Sequence, residues 1–252
     1  MEQQLSLKVD QYIYLKKTDS TNQYAQNIVS KSFPHRNYCI YTDNQTVGRG
    51  QIDRYWFSDV GKNLTASYLF KLNIAIEDQF DISIALALAV YDLCKDYMDP
   101  SQLTIKWPND IYYGDQKLAG ILIQNNIRGK NILNSILGVG INVNQKHFPE
   151  DLPNPVSLFQ ITGHEYDLLE LVLKLEDKLG YRLAFMSKQR DEWRRNYFSL
   201  LYRKGSQSLY KRLQDNTIFE ATIESITREG KLVLNTGKQK EVFNFREIQF
   251  II

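Results

Sequence analysis

The sequence predicts an α/β (α+β) chain in which a large mixed unit is followed by a small all-β one. Two features lead there. Before about residue 200, runs with strand-like alternation are interspersed with runs whose apolar residues recur every three or four positions. From about Gly205 the texture changes to short β-rich runs punctuated by turn residues. A chain of 252 residues is long enough to bury a sizeable core in such a pair.

Taken in order, Ser20 and Gln23 form a capping-box pattern, with Ser20 at the N-cap and Gln23 three positions on. The helix it opens carries Tyr24, Ala25, Ile28 and Val29 on one face. Residues 38–43 are strand-like, Gly48 to Tyr55 is a loop, and Asn63 to Leu72 is a strand. Phe80 to Tyr97 reads as a helix through Ile84, Leu88 and Tyr91. Strands follow at Leu103–Trp107, Lys117–Gln124 and Ile132–Val143, with a Gly114-Asp115 turn before the second. Residues 145–160 hold Pro149, Pro153 and Pro155 and read as a loop, after which Leu168–Met186 and Glu192–Leu201 are helical. Strands at Phe219–Ile226, Lys231–Leu234 and Glu241–Phe245, with turns at 228–230 and 236–237, suit a small β-barrel.

Composition sets the broad class. The chain is 43% hydrophobic and 24% charged, ordinary for a soluble globular protein. A net charge of +2 gives no electrostatic case for DNA, although residues 201–252 carry nine Lys/Arg against six Asp/Glu. No apolar run approaches a membrane span and the start has no signal-peptide pattern, so the expected location is cytoplasmic. Cys39 and Cys94 read as buried free thiols. His35, His147 and His164 are scattered and make no metal site or triad, and no P-loop motif occurs.

The chemistry concentrates in two places. Gln45–Trp56, QTVGRGQIDRYW, is a polar, cationic loop in which Gly48 and Gly50 permit close backbone approach to an anion, with Arg49 and Arg54 as fixed cations. About sixty residues on, KWPND (Lys106–Asp110) and KLAGIL (Lys117–Leu122) place Asn109, Asp110 and Lys117 around a tight turn. Each has an ordinary alternative. A bare GRG is usually an exposed loop, a lysine at a strand start is usually a solubility device on a sheet edge, and Ser20 and Thr21 also suit a plain helix cap. Trp56 and Trp107 suit a core, and Gly138 and Gly140 within an apolar strand suggest close backbone approach.

In this order, DSTN (Asp19–Asn22), GRGQ with Trp56, KWPND, KLAG and GVGINVN (Gly138–Asn144) resemble the biotin–protein ligases, in the short form without an N-terminal DNA-binding domain. The resemblance implies a class II synthetase-like catalytic domain over residues 1–203, with a mixed, mostly antiparallel sheet and helices, and an SH3-like β-barrel over 204–252. It implies ATP, Mg²⁺ and biotin as cofactors and substrate, formation of biotinyl-5′-AMP, and transfer of biotin to a lysine of a biotin carboxyl-carrier protein. It assigns catalysis to Lys117, Arg49 and Asp110, with Asp110 also at the metal. It assigns biotin binding to Ser20, Thr21, Asn22, Gln45, Gly48, Arg49, Lys117 and Gly120. Nucleotide binding falls to Arg49, Gln51, Arg54, Trp56, Asn109 and Asn142. Gln51 stands where some members have arginine, and Asp53 where many have glycine.

Three rival readings define the tests. A lipoate–protein ligase has related chemistry, but its glycine-rich RRxSGGG-type motif is missing while KWPND is present. A DNA-binding biotin-responsive repressor needs a reading head, and only 18 residues precede Asp19. A non-catalytic biotin- or nucleotide-binding regulator has no need of Lys117, Arg49 and Asp110 together. The expected assembly is a monomer or weak homodimer, with no DNA and no membrane among its partners.

Overall fold

The computed structural model describes residues 7–31, 34–48, 50 and 55–252. Arg49, Gln51, Asp53 and Arg54 lie outside the described residues.

A seven-stranded sheet forms the body. Its strands are β1 (Gln11–Leu15), β2 (Tyr38–Thr42), β3 (Leu64–Ala75), β4 (Leu103–Lys106), β5 (Asp110–Tyr113), β6 (Gln116–Arg128) and β7 (Asn131–Ile141). Their order is β1-β2-β3-β7-β6-β5-β4, and every pairing is antiparallel except β1 with β2. The mixed, mostly antiparallel expectation therefore holds. β1 and β5 were not read from the sequence, each being only five or four residues long. β6 extends the run read at Lys117–Gln124, and β7 covers most of the run read at Ile132–Val143; the two pair as one long hairpin.

The period of two along β3 and β7 divides the core. Ala66, Tyr68, Phe70, Leu137, Val139 and Ile141 face the main core. There they meet α2 (Gln79–Cys94), which is apolar nearly all round and buried along most of its length. Helices α4 (Leu168–Phe185) and α5 (Arg190–Ser199) pack outside α2. On the opposite face, Ile40, Leu69 and Ile136 take the apolar stripe of α1 (Thr21–Lys31), where Ala25 is buried and Tyr24, Ile28 and Val29 pack against it. That is the helix face the sequence gives. A short helix, α3 (Leu158–Thr162), interrupts the proline-bearing loop behind a Ser157/Gln160 capping box.

The C-terminal strands are β8 (Ser208–Arg212), β9 (Ile218–Ile226), β10 (Leu232–Asn235), β11 (Lys240–Phe243) and β12 (Ile248–Phe250). They form an antiparallel five-stranded sheet in the order β11-β10-β9-β8-β12, consistent with an SH3-like unit. Its apolar residues, including Tyr210, Ile223, Phe243 and Phe250, join the main core. Trp107 Nε1 donates to the Gly230 carbonyl at 2.8 Å, and Phe80 fills the space where a side chain on Gly230 would stand. Trp107 is thus core, as read from the sequence, and it anchors the turn before Asp110. Arg228 and Arg190 both pair with Asp78, and Arg194 pairs with Asp81, at the start of α2. Among the described residues no helix is long and apolar enough to cross a membrane.

Candidate active site

The α1 half of its sheet face is covered; the other half is floored by glycine. β7 pairs Gly138 with Ser67 of β3 and with Leu122 of β6. One row on, Thr65, Gly140, Gly120 and Asp110 are direct cross-strand partners across β3, β7, β6 and β5. Three strand spacings at about 4.8 Å make this row roughly 14 Å wide. The glycines are required by what lies on them. A Cβ on Gly138 would collide with the Asn22 carboxamide, and one on Gly140 with the Trp56 indole. At Gly120 it would stand 3.3 Å from both Lys117 Nζ and the Trp56 ring.

One end of the row is a hydrogen-bonding cap. The α1 N-terminus brings in Ser20, Thr21 and Asn22, all buried. Ser20 Oγ accepts from Gln23 N–H at 3.4 Å, the cap read from the sequence. Gln45 is held beside it by a parallel bridge between Thr18 and Gln45. Gln45 Oε1 accepts from the Thr21 N–H at 3.0 Å, which turns Gln45 Nε2 toward Gly48. Asn22 Nδ2 donates to the Leu122 carbonyl at 3.1 Å. Ser67, fully buried on β3, lies 2.7 Å from Thr21 Oγ1 and 2.5 Å from Asn22 Oδ1. The sequence reading passed over Ser67. Its signal is a polar pair, Thr65 and Ser67, at period two inside an otherwise apolar strand.

The other end is ionic. Lys117 Nζ stands 2.6 Å from Asp110 Oδ1, with side chains 32% and 17% exposed. The contact is a close ion pair, but no hydrogen-bond donor among the described residues is aligned on Asp110 Oδ1. With Asp110 as its one ion-pair partner among the described residues, the three-donor ammonium retains donors for a ligand. β6 lies inside the sheet, between β7 and β5, so Lys117 is not an edge-strand solubility device. Its main chain is fixed on the far side by Asn154 and Val156 from the proline-bearing loop.

Trp56 lies across the floor between the two ends. Its backbone N–H donates to the Gly48 carbonyl at 2.9 Å, and Lys117 Nζ is 5.8 Å from the ring centre. The indole Nε1 is buried without a hydrogen-bond partner among the described residues. Asn109 and Asn142 sit at the margins. Asn109 Nδ2 donates to the Ile121 carbonyl at 2.9 Å. Asn142 Nδ2 donates to the Lys117 and Val156 carbonyls at 3.3 and 3.0 Å. Both amides hold the β6 backbone and its neighbour in this state.

Ser20, Thr21, Asn22, Gln45, Gly48, Trp56, Asp110, Lys117 and Gly120 thus converge on one face, while Arg49, Gln51 and Arg54 fall outside the described residues. Among the described residues no three His, Cys, Asp or Glu side chains cluster to hold a metal. A lone Asp110 suits Mg²⁺, which usually keeps waters and substrate phosphates beside one or two carboxylates.

The family model described as "Biotin/lipoate A/B protein ligase family" matches residues 14–142, which contain every one of these side chains. The chain is 27% identical over 234 residues to the bifunctional ligase/repressor BirA of Bacillus subtilis, covering 90% of this chain and 70% of that protein. It is 27% identical over 250 residues to the biotin–[acetyl-CoA-carboxylase] ligase of Paracoccus denitrificans, covering 94% of this chain and 99% of that one. The solved biotin protein ligase of Aquifex aeolicus, in complex with biotin and ATP, superposes with a TM-score of 0.74 at 22% identity. That match covers 96% of this chain and 99% of the other. With the match spanning half of its length and the whole glycine-floored site, the chain belongs to the biotin/lipoate A/B protein ligase family.

Proposed function

We propose that this protein is an ATP-dependent biotin–protein ligase that makes biotinyl-5′-AMP and passes the biotinyl group to a lysine of a biotin carboxyl-carrier domain. The observation that carries the reading is the polarity of the glycine-floored row. Neutral hydrogen-bonding groups (Ser20, Thr21, Gln45) stand at one end and a charged Lys117–Asp110 pair at the other. An elongated acid with a ureido head and a distant carboxylate matches both ends and the apolar middle.

A carboxylate resists an amine until it carries a good leaving group. In the first half-reaction a biotin carboxylate oxygen attacks the α-phosphorus of ATP, and the bond to pyrophosphate breaks. Lys117 stands where it can bridge the two anions that must meet, as a compact point charge. Asp110 holds that ammonium in place. Asp110 is the carboxylate that would hold a Mg²⁺ ion brought with the triphosphate, and the ion would supply charge neutralisation at the phosphates. Trp56 offers an aromatic face for adenine, while Gly48 and Gly120, whose missing Cβ makes room for Trp56 and Lys117, are assigned to biotin contact by resemblance. Arg49, Gln51 and Arg54 are assigned to the closing loop by resemblance. In the second half-reaction the carrier lysine attacks the acyl carbon, AMP leaves, and an amide forms. In this reading residues 1–203 do the chemistry, and 204–252 buttress the turn before Asp110 through Trp107. The protein works as a monomer or weak dimer in the cytoplasm, without DNA.

The test is a mass measurement. Pure protein with ATP and Mg²⁺ is given biotin or lipoate, and the acyl-adenylate is weighed. Biotinyl-AMP supports the proposal; lipoyl-AMP alone transfers it to lipoate; neither, with biotin bound, makes the protein a regulator.

A further inference from the structure

We propose that Ser67 is a positioning residue that fixes the Thr21 hydroxyl as a hydrogen-bond acceptor, and so sets the site's preference for a ligand that presents N–H groups. The inference rests on the biotin reading and deepens it.

The argument is a count of protons along one buried chain. The Leu122 carbonyl can only accept, so the amide of Asn22 that faces it at 3.1 Å must be its Nδ2 side. Asn22 Oδ1 then faces Ser67 and can only accept, so the single Ser67 hydroxyl proton goes to it across 2.5 Å. Ser67 Oγ has no proton left for Thr21, 2.7 Å away, and must accept from it. The Thr21 proton is therefore directed at Ser67, away from the Gln45 Oε1 that lies 3.3 Å off. Gln45 Oε1 is served by the Thr21 N–H at 3.0 Å instead. Thr21 Oγ1 keeps lone pairs alone for any other partner.

The origin of this polarity is the β6 main chain, three side chains from the ligand. It explains why Asn22 and Gly138 are coupled: the carboxamide reaches Leu122 and Ser67 only because residue 138 has no Cβ. A ureido N–H finds an acceptor at Thr21. A ligand with a ring oxygen in that place meets lone pair with lone pair, which leaves a buried polar group unpaired.

The test compares biotin with its two carbamate analogues, in which one or the other ureido N–H is replaced by a ring oxygen. Dissociation constants are measured by calorimetry for the natural protein, Ser67→Ala, Ser67→Thr and Ser67→Cys. The natural protein should prefer biotin to at least one analogue by about 10²-fold or more. In Ser67→Ala the freed Thr21 hydroxyl can turn its proton to the ring oxygen, and that preference should fall at least tenfold. Ser67→Thr retains a hydroxyl and should restore it. Ser67→Cys fills the space with a weak donor and should give an intermediate ratio, which decides the matter if the alanine variant folds poorly. A merely structural role weakens biotin and analogue alike; an unchanged ratio in Ser67→Ala or Ser67→Cys overturns the proposal while leaving the biotin reading intact. A natural protein that binds no biotin overturns both.

Discussion

Lys117→Ala tests the ionic end of the site directly. Two unit charges about 4 Å apart interact by roughly 4 kcal/mol at an effective dielectric near 20. Lys117 is 32% exposed, so solvent screens part of this, and about 2–3 kcal/mol is the reasonable share. At 1.36 kcal/mol per factor of ten, adenylate formation should slow by about 10²-fold. That matches the usual cost of removing one preorganised contact to a developing charge. The loss should appear in the rate more than in biotin affinity, because the ammonium matters most where carboxylate meets phosphate. Folding should be nearly unaffected. Asp110 loses its partner but is 17% exposed and can rehydrate. Lys117→Arg keeps the charge in a larger planar fork, pressed against Gly120 and Trp56, and should recover only part of the rate. The assay is single-turnover formation of biotinyl-AMP by mass, with melting temperature as the folding control. A folded Lys117→Ala protein adenylating at near-normal rate would falsify the assignment.

Three further outcomes are expected. Gly140→Ala puts a methyl into the Trp56 indole and should drive the ring off the floor. Since Trp107 and Trp193 are buried, a red-shifted emission reports Trp56, and an unchanged spectrum refutes the packing. Trp107→Phe removes a buried hydrogen bond to Gly230 and should cost about 1–3 kcal/mol, read as a fall of several degrees in melting temperature. No destabilisation there would mean that the C-terminal sheet is not tied to the turn before Asp110 in this way. Burial pushes the Cys94 thiol from 9.0 up to about 12. Above pH 9 the unfolded thiol loses its proton while the folded one keeps it. The contribution of Cys94 to stability should therefore be lost between pH 9 and 12, at up to about 1.4 kcal/mol per pH unit, and the raised Cys39 thiol adds to the fall. Neither cysteine should react with a thiol reagent at pH 8 until the chain unfolds, and prompt labelling of the native protein would contradict this.

How far the sequence carries depends on whether a signal is local. The α1 stripe, the buried α2 and the long β3 and β7 runs announce themselves by periodicity, because each buries a face set by its own spacing. β1 and β5 do not. QYIYL and DIYY are too short to show a pattern, and their place is fixed by pairing with β2 and with β4 and β6. β8 and β12 were missed for the same reason. The site divides along the same line. Lys117, Asp110, Thr21 and Gln45 stand in motifs and could be named from them, but their grouping at opposite ends of one row is a fact of strand register.

Register also explains what the motifs leave unstated. Asn22 donates to the Leu122 carbonyl through Nδ2 and meets Ser67 through Oδ1, and Ser67 stands outside every motif. Gly138 and Gly140 were legible as places of close approach, but what approaches them was not. Asn22 comes from a helix more than a hundred residues earlier and Trp56 from the loop between β2 and β3. A glycine in a strand tells only that a side chain is unwelcome there. Which end of the floor accepts hydrogen bonds and which carries charge follows from β7 pairing with β3 on one side and β6 on the other, and that pairing gives the site its direction.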